Sequence, residues 1–146
     1  MGRWLLISAC LLGNRCKYDG GSNALPEEQI AALRRRYRLL PVCPEVAGGL
    51  PVPREASERR DGGVYDRSGA DVSAAFEAGA RKACLLARRW RCQEALLKER
   101  SPSCGLGAVY DGSFSGTLIS GDGVTAEMLR QLGLTVYGES EWEKLL

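Results

Sequence analysis

Cys10, Cys43 and Cys104 each lie just past a short apolar run. Cys10 closes the run Trp4 to Ala9, Cys43 follows Leu39-Leu40-Pro41-Val42, and Cys104 follows Ala95-Leu96-Leu97 by way of Lys98 to Ser103. If those runs are neighbouring parallel strands, the three thiols meet at the carboxyl edge of one sheet, where open α/β folds place their ligands. Three soft ligands around one point describe a metal centre with a position left open, and an open position is where chemistry happens. A 4Fe-4S cluster whose fourth iron takes a substrate atom suits such a set. Polar groups stand close by: Glu45 is two residues past Cys43, and Ser101 three before Cys104.

The other cysteines read differently. Cys84 falls inside an expected helix and Cys92 at the start of an expected strand, where a thiol packs as a small hydrophobe. Cys16 lies six residues past Cys10 in a glycine-rich loop and could complete a four-cysteine site. Four thiolates favour a closed structural zinc or a saturated iron–sulfur cluster. The paired C-x-x-C knuckles of zinc ribbons are missing from the chain. Histidine is missing too, which excludes Ser-His-Asp and Cys-His nucleophiles and every imidazole metal site.

The elements that would position these residues alternate in type. A first strand near Trp4–Ala9 leads into a loop from Cys10 to Asn23. Pro26-Glu27-Glu28 then opens a helix, since proline suits the first turn and acids the positive end of the dipole. Ile30, Leu33 and Tyr37 give that helix an apolar stripe, and a second strand near Arg38–Val42 delivers Cys43. The segment from Pro44 to Ala70 holds Pro44, Pro51 and Pro53 with five glycines, so it reads as a long functional loop with a short ribbon over Gly62–Asp66.

Beyond it, Asp71 caps a helix to about Trp90, with Val72, Ala75, Phe76, Gly79, Ala83 and Leu86 on one face. A third strand follows near Gln93–Leu97, then loop and ribbon to Gly123. A helix over Thr125–Leu132 stops at Gly133, a fourth strand covers Leu134–Tyr137, and a terminal helix Ser140–Leu145. Strands alternating with helices predict a single α/β domain over 1–146, a three-layer αβα, Rossmann-like fold with a mostly parallel sheet.

The bulk composition fits that picture. At 146 residues the chain can bury one substantial core, and 45% apolar content is ordinary for a globular protein. A net charge of +2 makes no global case for nucleic acid, although Arg34-Arg35-Arg36, Arg59-Arg60 and Arg88-Arg89 cluster. No apolar stretch approaches the roughly 18 residues needed to span a bilayer. The run from Trp4 to Leu12 leads straight into a motif-rich loop, which reads as the first strand of a cytoplasmic protein rather than a secretory signal. Reduced cysteine there points to metal or catalysis.

Longer blocks carry a resemblance. Ser8-Ala9-Cys10-Leu11-Leu12-Gly13 with Tyr18-Asp19-Gly20, then Cys43-Pro44-Glu45-Val46-Ala47-Gly48-Gly49-Leu50-Pro51-Val52-Pro53-Arg54, then Ser101-Pro102-Ser103-Cys104-Gly105, resemble the thiouracil desulfidase family. The likeness extends to Gly123-Val124-Thr125-Ala126 and the last strand. It implies a 4Fe-4S cluster on Cys10, Cys43 and Cys104, whose remaining iron captures the sulfur of a thiolated pyrimidine base such as 2-thiouracil. It also implies hydrolytic carbon–sulfur cleavage without net redox change, and matches the family's acid and serine to Glu45 and Ser101. Glu45 would activate water as general base, and Ser101 would orient base or water, unless each merely caps a turn. Lys98 and Arg54 would face the cluster's charge or the solvent. The alternatives are a four-cysteine zinc or iron–sulfur module without turnover, and a nucleotide-binding protein, which would lack either common phosphate loop.

Overall fold

A computed structural model describes residues 3–146. In chain order its elements are β1 (Arg3–Ser8), α1 (Glu27–Arg36), β2 (Tyr37–Val42), the one-turn α2 (Pro44–Ala47), β3 (Ser57–Arg60), β4 (Gly63–Asp66), α3 (Ser73–Arg89), β5 (Glu94–Leu97), β6 (Ala108–Tyr110), β7 (Leu118–Ser120), α4 (Val124–Leu132) and β8 (Thr135–Gly138). Two 3₁₀ segments, Ala9–Leu12 and Glu139–Leu145, complete it.

The main sheet has the order β2-β1-β5-β8, and each neighbouring pair is parallel. Its central strand explains why a nearly unbroken apolar run is needed. Leu5, Leu6 and Ile7 are each fully buried, as expected where helices cover both faces of a parallel sheet. Side chains alternate across the strand. Leu6 packs with Ala95, Leu97 and Val136 against Ala83 and Ala87 of α3 and Leu129 of α4. Leu5, Ile7 and Leu96 face Leu33 of α1 and Leu145 of the last 3₁₀ segment. The result is the αβα sandwich that the alternation predicts.

Local details depart from expectation in three places. The Pro44–Ala70 segment is not an open loop: it contains α2 and an antiparallel hairpin of β3 and β4. Its first strand, Ser-Glu-Arg-Arg, has no apolar alternation to announce it. Asp71 sits one residue further out than a formal cap. Its Oδ1 accepts the Ser73 N–H at 2.9 Å, and the helix begins there. The terminal helix is 3₁₀ rather than α; it carries Leu145 into the core, and the Leu145 carbonyl accepts the Tyr37 hydroxyl at 2.9 Å.

One contact matters for the site. α2 rests on α3 through two glycines: a Cβ on Gly48 would collide with the Ala75 carbonyl, and one on Gly79 with the Pro44 carbonyl. Backbone meets backbone there, so no side chain can yield. Gly79→Ala should therefore force α2 off α3 and cost about 1–3 kcal/mol, as overpacking does. Urea unfolding checks it against Leu85→Ala on the same helix. Leu85 is 66% exposed, so that change should stay within about 0.5 kcal/mol.

Candidate functional site

Three adjacent strands, β2, β1 and β5, end on one edge of the sheet, and each delivers a cysteine to it. β1 ends at Ser8 and runs into the 3₁₀ turn that presents Cys10, closed by Gly13 at φ 95°. β2 ends at Val42, and Cys43 follows as the N-cap of α2, with Pro44 at the first helical position. Cys104 comes from a longer excursion after β5. The Ser101 hydroxyl oxygen accepts the N–H groups of Ser103 at 3.1 Å and Cys104 at 3.0 Å, folding the turn that turns the thiol inward. Cys10, Cys43 and Cys104 line one cleft of about 530 Å³, together with Cys16, Glu45 and Ser101. Cys84 and Cys92 do not line it.

The thiols are held in conditions hostile to bare charge. Burial pushes Cys104 up to about 12, only partly offset by the neighbouring Ser8 and Ser103 side chains. Burial raises Cys10 as well, and the neighbouring Cys43 adds to it, while Lys98 acts in the opposite direction. Cys16 is pushed to about 12 by burial first and by Cys43 second. All six cysteines are free thiols. Among the described residues no three His, Cys, Asp or Glu side chains converge to hold a single metal ion.

Beside them Glu45 is held from two sides. Its Oε1 accepts Arg54 Nε at 3.0 Å, and its Oε2 accepts the Ser103 hydroxyl at 2.9 Å. Both members of the ion pair are close to buried, with 7% of Arg54 and 14% of Glu45 side chain exposed. Arg54 also donates to the carbonyls of Cys16 at 2.9 Å and Pro51 at 3.1 Å, so it ties the Cys16 loop to Glu45. Ser103 has one proton to give. With that proton on Glu45, the Ser101 hydroxyl 2.9 Å away donates to Ser103, and a chain runs Ser101, Ser103, Glu45. The Ser103 oxygen also lies 3.6 Å from the Cys104 sulfur. Lys98 pairs with Glu139 at 2.9 Å at the edge of the same cleft.

The residues singled out from the sequence, Cys10, Cys43, Cys104, Glu45 and Ser101, are therefore neighbours. Sequence reasoning misses Ser103 and gives Arg54 another partner. Ser103, 1% exposed, touches Glu45 directly where Ser101 does so only through it. The spacing Ser101-x-Ser103 before a cysteine was the available signal, because alternate hydroxyls on a turn share one side. Arg54 was weighed only against the cluster's charge; its partner is Glu45, nine residues back, a pairing that only tertiary structure reveals.

The site is therefore a cleft of thiols, brought by three adjacent strands of a small αβα sandwich, beside a braced carboxylate. The chain belongs to the 2-thiouracil desulfurase family, whose model matches residues 5–141. It is accordingly an enzyme of carbon–sulfur bonds. A relative from Bacillus subtilis (strain 168), named Uncharacterized protein YbbK, is 38% identical over 97% of this chain and 99% of its own length. A solved structure of TudS, described as a 4Fe-4S-dependent thiouracil desulfidase, superposes with a TM-score of 0.93 at 43% identity. That match covers 98% of this chain and 95% of the other.

Proposed function

We propose that this protein removes sulfur from a thiolated pyrimidine base, 2-thiouracil or a close relative, at a 4Fe-4S cluster held by Cys10, Cys43 and Cys104. The observation that carries the reading is the arrival of those three thiols, from three adjacent strands, at one cleft in a member of this family. The donor set fits the group: three soft thiols, buried at Cys104 and half-buried at Cys10 and Cys43, with no imidazole in the chain to compete. The description of TudS as 4Fe-4S-dependent supports it further.

Held by Cys10, Cys43 and Cys104, such a cluster would supply an iron free of protein ligands and Lewis acidity toward a thiocarbonyl sulfur. The protein's own groups do the rest. Glu45 accepts a proton from water as that water adds to the thiocarbonyl carbon. The C–S bond then breaks, the carbon keeps the water oxygen as C=O, and sulfur leaves as hydrogen sulfide with the second water proton and the one that Glu45 gives back. Atoms and electrons balance without an external reductant. Arg54 and Ser103 occupy one lone pair on each Glu45 oxygen, leaving acceptor capacity for the water and holding the carboxylate toward the thiols. Ser101 sets the donor direction of Ser103 and shapes the Cys104 turn.

The cleft volume suits a single small heterocycle. No helix among the described residues is long and apolar enough to cross a membrane. Six free thiols support a reducing, cytoplasmic setting. Anaerobic reconstitution followed by a sulfide-release screen over thiolated bases and nucleosides tests the proposal. Sulfide from thiolated pyrimidines is expected; iron-loaded protein that releases none from any of them sinks it. A preparation holding one zinc and no iron would restore the structural alternative.

A further inference from the structure

The loop joining β6 to β7 is tied down more firmly than its exposed position requires. Within residues 111–117 the Asp111 Oδ1 accepts the Ser113 N–H at 2.9 Å and the Ser113 hydroxyl at 2.6 Å. The hydroxyls of Ser113, Ser115 and Thr117 continue as a chain at 2.6 and 2.8 Å. From β3, the Glu58 carboxylate, only 9% exposed, accepts the N–H groups of Gly112 and Phe114 on one oxygen, each at 3.0 Å. A nearly buried carboxylate with two amide donors is a strong, charge-assisted anchor.

What the anchor holds is a strained residue. Phe114 has φ 55°, in the left-handed region that a bulky L side chain rarely adopts. Among the described residues, the other non-glycine positions of this kind are Asp61, Arg91 and Arg100; Phe114 and Arg100 line the cleft. Strain maintained by an over-determined surround clusters at functional sites. Core packing does not account for it here. Among the described residues Phe114 is only partly buried and joins none of the hydrophobic clusters. Its ring instead meets the Arg67 guanidinium 5.1 Å from its centroid. Both lie on the wall of the cleft that holds the thiols.

We propose that Phe114 is the platform on which the flat ring of the substrate stacks, with the Arg67 guanidinium backing the opposite face of the phenyl ring and Glu58 as the residue that positions the platform. Aromatic rings and guanidinium planes accept any heteroaromatic base on their faces, and stacking selects for planarity rather than for particular ring substituents. Phe114 is then the residue that favours cyclic, aromatic thioamides over open-chain ones. The nature of the ligand rests on the desulfidase reading; the stacking does not depend on turnover.

The test is calorimetric titration of iron-loaded protein with uracil, which has the ring and lacks the sulfur. Phe114→Leu should weaken uracil binding about 5- to 150-fold, the range that loss of one base–aromatic stack spans. Phe114→Tyr should restore it. Glu58→Ala should reproduce the loss with the ring still present, and Glu58→Gln, which keeps an acceptor oxygen, should rescue. With 2-thiouracil the KM should rise by the same factor as kcat holds, and turnover of thioacetamide should not move. Uracil binding unchanged in Phe114→Leu, or absent in the wild type, overturns the inference. Phe114-dependent uracil binding without any sulfide release keeps the inference and removes the desulfidase reading. Sulfide release with KM unmoved in Phe114→Leu does the reverse.

Discussion

Replacing Cys10, Cys43 or Cys104 by serine is expected to leave the reconstituted protein with little or no iron, against about four irons per chain in the wild type. Serine is nearly isosteric, but its hydroxyl is a hard donor that stays protonated at neutral pH. It therefore cannot replace a soft thiolate on iron. Sulfide release should fall to background with the iron. Cys84→Ser, on α3 and outside the cleft, should keep both iron and turnover. Cys16→Ser is the informative fourth variant. If Cys10, Cys43 and Cys104 are the full ligand set, it retains about four irons. Iron content measured anaerobically, alongside the absorbance of the brown protein, reads all five. Equal iron across them contradicts the ligand assignment.

Removal of the Glu45 carboxylate should have the second largest effect, on rate rather than on iron. Loss of a positioned general base typically lowers turnover by about 10²- to 10⁴-fold. The choice of variant matters because Arg54 and Glu45 form a nearly buried pair. Glu45→Ala strands the guanidinium, and breaking such a pair costs about 3–5 kcal/mol, so that lost activity there mixes chemistry with unfolding. Glu45→Gln keeps a carbonyl oxygen for one of the two donors that hold it. It should lose less stability than Glu45→Ala, because the amide still gives Arg54 an acceptor, and it should retain its iron and still lose kcat. Wild-type turnover in Glu45→Gln would remove Glu45 as base. Ser103→Ala offers a graded comparison, since it removes one of the two supports of Glu45 while leaving the carboxylate in place.

The fold was largely legible because the two central strands are buried on both faces. Trp4 to Ala9 and Ala95 to Leu97 are near-continuous apolar runs for that reason, Leu39 to Val42 is a partly buried apolar run at the sheet edge, and turn-forming sequence follows each one. The helices between them make the strands parallel, so residues at the strand ends must share an edge. That is why three cysteines far apart in sequence could be placed together in advance. β3 was not legible: Ser57–Arg60 is polar throughout, and it pairs with β4 without an apolar face to show. The support of Glu45 by Arg54 and Ser103 was not legible either, because each contact depends on how α2 and the Cys104 turn are set against each other. Phe114 lay hidden for another reason. Its neighbours Gly112 and Gly116 mark a turn, but nothing local announces that a phenylalanine between them adopts the left-handed conformation.

The central claim is a hydrolytic desulfurisation at the three-cysteine cleft, and isotope incorporation tests it most directly. Iron-loaded protein is incubated with 2-thiouracil in ¹⁸O-enriched water, anaerobically and without reductant, and both products are counted. The proposal predicts one sulfide released for each uracil formed, with one ¹⁸O at the carbon that carried the sulfur. Uracil without the label, or turnover only when a reductant is supplied, contradicts it.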